Sequence, residues 1–243
     1  MVTEISKSAI VVSEARSGTN ALLSTVKSMW PDAIILREIF KKPGASHELI
    51  EKHLGINKDT YAKLRSENPA SLWTALCDYS EARETPLIAK IFYSHVPKSD
   101  PVWDTFKDRS NVILVIRQNP FKQYVSLQLA TQSGQWILRP GKENLQENVT
   151  LSIDPEELKN YIQRKRQNIR WAREFYEYCK PMVVFYEDFT QANDDYWNIF
   201  EPFGALPKTG RARLNTTKQT TRPMREIVTN YSDVQDYDVE SDF

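Results

Sequence analysis

The chain has 243 residues, enough for one α/β domain with a substantial core. Apolar residues make up 40% and charged residues 26%, which excludes a disordered chain. The 32 basic and 32 acidic residues cancel, so no global field steers the protein to nucleic acid or an acidic membrane, and any anion site must be local.

Cys77 and Cys179 are the two cysteines, with no CxxC or Cys/His cluster. Reduced thiols are the simple reading, and zinc has no ligand set, so no metal is expected. Residues 1–13 carry Glu4 and an apolar run too short for a signal peptide or a membrane span. A cytoplasmic protein is therefore expected, and the Asn-x-Ser/Thr sequons at Asn148, Asn215 and Asn230 are discounted.

Residues 9–13 (AIVVS) read as a buried strand, 14–18 as a tight turn, and 19–29 as a helix. Residues 34–43 read as loop, and two or three helices fill 45–83. Strands follow at 87–93 and at 112–116 (VILVI), the clearest buried run in the chain. Pro120 suits the first turn of a helix reaching about Gln132, and 134–152 read as a connecting loop. Asp154-Pro155-Glu156-Glu157 combines an Asp cap, Pro at the first position and Glu three residues after the cap, starting a helix predicted to reach about Tyr178. Its basic run Arg164-Lys165-Arg166 reads as a solvated face. Pro181 ends it, 182–186 (MVVFY) form a further strand, and 232–243 read as a loose acidic tail. The alternation predicts an α/β fold, a mostly parallel sheet covered by helices, in a single domain over 1–243.

The informative segment is Glu14-Ala15-Arg16-Ser17-Gly18-Thr19-Asn20, between the first strand and the first helix. A helix N-terminus offers unpaired N–H groups and the positive end of the dipole, a ready receptor for phosphate or sulfate. Gly18 permits close backbone approach, Ser17, Thr19 and Asn20 can donate further hydrogen bonds, and Arg16 brings a full charge. An ordinary capped turn is the plain alternative. A nucleoside-triphosphate loop would need G-x-x-x-x-G-K-[ST], but no Lys follows Gly18. The VILVI strand ends on Arg117, where a magnesium-binding strand would end on Asp. Arg117 lies where open α/β sheets bind ligands, and Ser126 on the following helix can add a hydroxyl. The combination reads as two phosphate sites without a metal.

These segments resemble the sulfotransferases that use 3′-phosphoadenosine 5′-phosphosulfate (PAPS), and within them the bacterial trehalose-sulfating branch. ARSGTNALLSTV, LREIF, AKIFYSH, RQNPFKQYVSLQLATQSGQW, VVFYEDF and KQTTRPMREIVTNY are similar to that family's segments, in the same order, from Ala9 to about Tyr231. Asn20 and Asn119-Pro120 depart from it. The resemblance implies a P-loop-like sulfotransferase fold, with Arg16, Ser17, Gly18, Thr19 and Asn20 around the 5′-phosphosulfate. It places Arg117 and Ser126 on the 3′-phosphate, and Lys218 and Gln219 over the nucleotide. Arg16 and the loop amides would stabilise the leaving phosphate, Glu38 would be the base, and His95 is the second candidate, since His95-Val96-Pro97 resembles the His-Leu-Pro of animal cytosolic members. The implied acceptor is a small-molecule or carbohydrate hydroxyl, and the implied product nucleotide is adenosine 3′,5′-bisphosphate (PAP). A P-loop-type small-molecule kinase and a catalytically silent PAP-binding protein stay open as alternatives.

Overall fold

The structure is a computed structural model, and it describes residues 7–41, 46–192, 196–197, 200, 219–241 and 243. In chain order its elements are β1 (Ser8–Ser13), α1 (Thr19–Met29), β2 (Ile34–Leu36), α2 (His47–Leu54), α3 (Lys58–Glu67) and α4 (Pro69–Ala82). There follow β3 (Leu87–Phe92), α5 (Val102–Arg109), β4 (Asn111–Ile116), α6 (Pro120–Ser133), α7 (Pro155–Phe175), β5 (Met182–Phe185), α8 (Tyr186–Thr190), α9 (Met224–Ile227) and α10 (Tyr231–Val234). The five strands form one parallel sheet in the order β2-β3-β1-β4-β5.

Central β1 is buried along its whole length, so its side chains feed two cores by simple alternation. Ile10 and Val12 pack with Trp73 and Leu76 of α4 and Trp103 and Phe106 of α5. Ala9 and Val11 pack with Leu22, Leu23 and Val26 of α1 on the other face. A third apolar cluster joins α6, α7 and the C-terminal segment through Phe121, Leu158, Ile227 and Val234. The α/β class and the helix-covered parallel sheet are as expected from the strand–helix alternation.

Three features differ from expectation. Residues 34–36, read as loop, form edge strand β2, because Ile34-Ile35-Leu36 pairs in register with Leu87, Ile88 and Ala89 of β3. Helix α5 was not foreseen; it is short and largely polar, and it is placed by burial of Val102, Trp103 and Phe106. The tail expected to be loose is docked. The Asp238 carboxylate accepts from Asn119 Nδ2 at 2.9 Å and from the Tyr231 hydroxyl at 3.0 Å. Ser241 N–H also donates to the Gln118 carbonyl at 3.0 Å. Among the described residues, no helix is long and apolar enough to cross a membrane.

Candidate functional site

All five strands point their carboxyl ends at one cavity of about 740 Å³. Arg16, Gly18, Thr19 and Asn20 reach it from the turn after β1, and Glu38 from the turn after β2. His95 follows β3, Arg117 follows β4, Tyr186 follows β5, and Ser126, Trp136 and Gln219 close the side facing α6. This is the crevice where parallel sheets bind ligands, since the loops leaving the central strand toward opposite faces open a gap there.

The turn after β1 is built around Gly18, which has φ +75°. A Cβ there would lie 2.4 Å from Tyr186 Cδ2 and 2.9 Å from Phe189 Cζ, both closer than van der Waals contact allows. Gly18→Ala is expected to destabilise the protein by about 2–5 kcal/mol, combining the left-handed backbone cost with overpacking. Thermal or urea unfolding checks it, and an unchanged midpoint contradicts this account of the loop. Helix α1 then begins with no side-chain cap, so the ordinary capped turn is not what forms. The turn that carries Gly18, Thr19 and Asn20 into the cavity thus ends at a helix start with no side-chain capping hydrogen bond.

Ser17 does not line the cavity. It is buried, and its hydroxyl accepts from Gln123 Nε2 at 3.0 Å, while the same Nε2 donates to the Ala15 carbonyl at 2.7 Å. Gln123, on α6, thereby brackets Arg16, whose backbone is itself left-handed (φ 64°). Non-glycine residues in that region cost of order 1–3 kcal/mol and persist where neighbours over-determine them. Glu38 is likewise left-handed (φ 52°), so two such residues share this cavity.

Arg16 spans the site. Its Nε donates to Ser126 Oγ at 3.0 Å, Nη1 to the Trp136 carbonyl at 2.5 Å, and Nη2 to Gln219 Oε1 at 2.6 Å. All three acceptors are neutral. Burial, then the nearby Arg117 guanidinium, push its pKa down to about 10. Arg117, 9% exposed, donates to the Arg16 carbonyl at 3.2 Å and stacks on the Tyr186 ring at 4.6 Å. Burial lowers its pKa too, opposed by Tyr186 and Glu187. Among the described residues neither guanidinium has a carboxylate within 4.0 Å. Two desolvated cations side by side without an acid are costly unless an anion joins them.

The frame behind Arg117 is carboxylate-bound instead. Glu187 accepts from the Gln118 and Asn119 N–H groups at 2.9 and 3.3 Å, so the start of α6 already has its anion. Lys165 donates to the Arg117 carbonyl and lies 4.5 Å from the centre of the Phe243 ring. Burial pushes its ammonium down to about 7. The expectation of a solvated basic face on α7 therefore fails at Lys165, which is 2% exposed.

Glu38 Oε1 lies 2.9 Å from Lys90 Nζ, and Oε2 lies 3.3 Å from Lys41 Nζ. Burial alone would raise the Glu38 carboxyl, but the two ammonium groups outweigh it and hold it below its ordinary 4.5. Lys90 is 1% exposed and also donates to Asn20 Oδ1 at 2.9 Å, tying the β2 turn to α1. His95 Nδ1 accepts the Phe92 N–H at 3.3 Å. Neutral imidazole then carries its proton on Nε2, so it presents a donor. Burial pushes its pKa down to about 4.

The structure thus gathers Arg16, Gly18, Thr19, Asn20, Glu38, His95, Arg117, Ser126 and Gln219 around one cavity and leaves Ser17 behind it. Lys218 lies outside the described residues. Gln123 escaped the sequence reading, although a Gln one turn ahead of Ser126 on a site-facing helix was the available signal. A comparison with family models and with curated proteins finds no match for the chain.

Proposed function

We propose that the protein is a sulfotransferase that moves a sulfuryl group from PAPS to a hydroxyl of a small-molecule or carbohydrate acceptor. The observation that carries this reading is the pair of a half-buried Arg16 and a buried Arg117, adjacent guanidiniums without a carboxylate partner among the described residues at the mouth of a parallel sheet. A P-loop-like reading of the fold is supported by the β1–turn–α1 unit at the centre of the 2-3-1-4-5 sheet. A cavity of about 740 Å³ has room for a nucleotide and part of an acceptor.

In this reading Arg117 and Ser126 hold the 3′-phosphate, and Arg16 with the start of α1 holds the 5′-phosphosulfate. The acceptor oxygen forms its bond to sulfur as the sulfur–oxygen bond to the 5′-phosphate breaks, and PAP leaves. Lys90, fixed by Asn20 and Glu38, offsets charge growing near the leaving oxygen. Sulfuryl carries less negative charge than phosphoryl, so fixed cations and N–H groups suffice in principle for in-line transfer. Glu38 receives the acceptor proton. It is held ionised, whereas His95, also lining the cavity, keeps its one ring proton on Nε2 and suits donating a hydrogen bond to an acceptor or sulfuryl oxygen.

Arg117→Ala tests the nucleotide assignment. It should weaken PAP binding by about 2–3 kcal/mol, the worth of a charge-assisted hydrogen-bond pair in a desolvated site. Calorimetry on the folded variant reads this directly; unchanged affinity removes Arg117 from the 3′-phosphate site.

A further inference from the structure

The loop between β4 and α6 is gripped by a segment that does not itself line the cavity. Val234 anchors that segment, buried in one cluster with Phe121 and Ile227. Beyond Val234 none of the described residues is buried, and Val239 is 57% exposed. Apolar burial therefore does little to hold this stretch. Its contacts fall instead on three consecutive loop residues, Arg117, Gln118 and Asn119. Asp238 Oδ1 accepts from Asn119 Nδ2 at 2.9 Å and lies 3.6 Å from Lys122 Nζ, while Oδ2 accepts from the Tyr231 hydroxyl at 3.0 Å. Ser241 N–H donates to the Gln118 carbonyl at 3.0 Å. The Phe243 ring centre lies 4.5 Å from Lys165 Nζ, and that ammonium donates to the Arg117 carbonyl.

These contacts lead to the cavity through the loop. Asn119 Oδ1 caps α6 by accepting from the Lys122 N–H at 2.8 Å. Asp238 thus holds one end of an amide whose other end starts the helix that carries Ser126. Glu187 holds the Gln118 and Asn119 N–H groups from the opposite side. With those groups on Glu187 and the carbonyls on Ser241 and Lys165, the backbone at the root of Arg117 is fixed. Lys165, 2% exposed, has no carboxylate within 4.0 Å among the described residues. A desolvated ammonium in that state depends on the carbonyl and the ring face together.

We propose that residues 237–241 and Phe243 form a strap that positions Arg117 and Ser126, so that strap docking and 3′-phosphate binding strengthen each other. Asp238 is its principal positioning residue and acts through Asn119. The inference rests on the sulfotransferase reading, in which Arg117 and Ser126 receive that phosphate, and adds what sets their geometry.

The test compares PAP with adenosine 5′-monophosphate (AMP), which lacks the 3′-phosphate, by calorimetry on the full chain. The ratio of the two affinities separates the 3′-phosphate site from general damage to the fold. Asp238→Ala should lower that ratio by about fivefold or more while AMP affinity changes little. Asp238→Asn should keep most of it. Its amide oxygen still accepts from Asn119, and the Tyr231 hydroxyl can turn from donor to acceptor. On the parent, exchange of the Ser241 amide hydrogen should be slower by about fivefold or more with saturating PAP than with saturating AMP, by reciprocity. That measurement needs no variant, so it decides if Asp238→Ala does not fold. An unchanged ratio in folded Asp238→Ala, a uniform loss for both nucleotides, or equal Ser241 exchange with both overturns the strap. A loss as deep in Asp238→Asn as in Asp238→Ala overturns positioning through Asn119. A parent that binds PAP no more tightly than AMP overturns the 3′-phosphate reading, and the strap's role with it.

Discussion

Glu38→Gln is expected to lower sulfation by roughly 10²–10⁴-fold while leaving PAP affinity nearly intact, the range for a positioned general base. Gln keeps the size and one oxygen that can accept from Lys90 or Lys41, but it loses the charge and cannot take a proton. His95→Ala should do less, because His95 Nδ1 is engaged by the Phe92 N–H and Nε2 is left as a donor. Single-turnover sulfation by both variants at saturating PAPS separates the roles; a normal Glu38 variant beside a dead His95 variant reverses them. The pH dependence follows from the same geometry. Glu38 acts ionised, and its pKa lies below 4.5, so turnover is kept as pH falls through neutrality and is lost only below that value. His95 also stays neutral until about pH 4. An acid limb centred near 6.5, the ordinary imidazole value, contradicts the burial of this site.

Arg16→Met should cost about 10²–10³-fold in sulfation, the usual loss when a preorganised donor to developing charge is removed. The effect is large because Arg16 is prepared before any ligand arrives. Its three hydrogen bonds fix the fork between α6, the loop after it and Gln219. Its backbone is held between the two atoms that Gln123 binds. Methionine preserves much of the packing, so the loss reports the guanidinium rather than a cavity. Unchanged turnover would remove Arg16 from the leaving-group site, whatever the variant does to PAP affinity.

Much of the scaffold was legible because its signals are local. AIVVS and VILVI are continuous apolar runs, as strands buried on both faces must be, and Asp154 caps α7 through its own hydrogen bonds to Glu156 and Glu157 N–H. Strand β2 was not legible, since three residues give no periodicity and only pairing with β3 marks them as a strand. The site divides the same way. Arg16, Gly18 and Arg117 follow strands and announce themselves by type and place. Ser17 shares that segment yet turns inward, because Gln123, 106 residues on, claims its hydroxyl. Lys165 sits in a run of like charges that reads as solvated, and only the fold brings the Arg117 carbonyl and Phe243 onto it. The acidic tail was misread for a similar reason: Asp238 finds Asn119 from 119 residues away. Composition registers its charge but not its partner.

Differential stabilisation by nucleotides tests the central claim, that two acid-free guanidiniums at the sheet edge form a metal-independent site for PAP. Melting temperatures are measured for the parent chain, Arg16→Met and Arg117→Ala with PAP, with magnesium-ATP and with neither. Ligand stabilisation follows mass action and reaches about 2.7 kcal/mol at a hundredfold excess over Kd. PAP without magnesium should raise the parent's melting temperature well beyond magnesium-ATP, and either substitution should remove most of that rise. Equal or greater stabilisation by magnesium-ATP, unaffected by the loss of Arg117, would contradict the claim and point to a kinase.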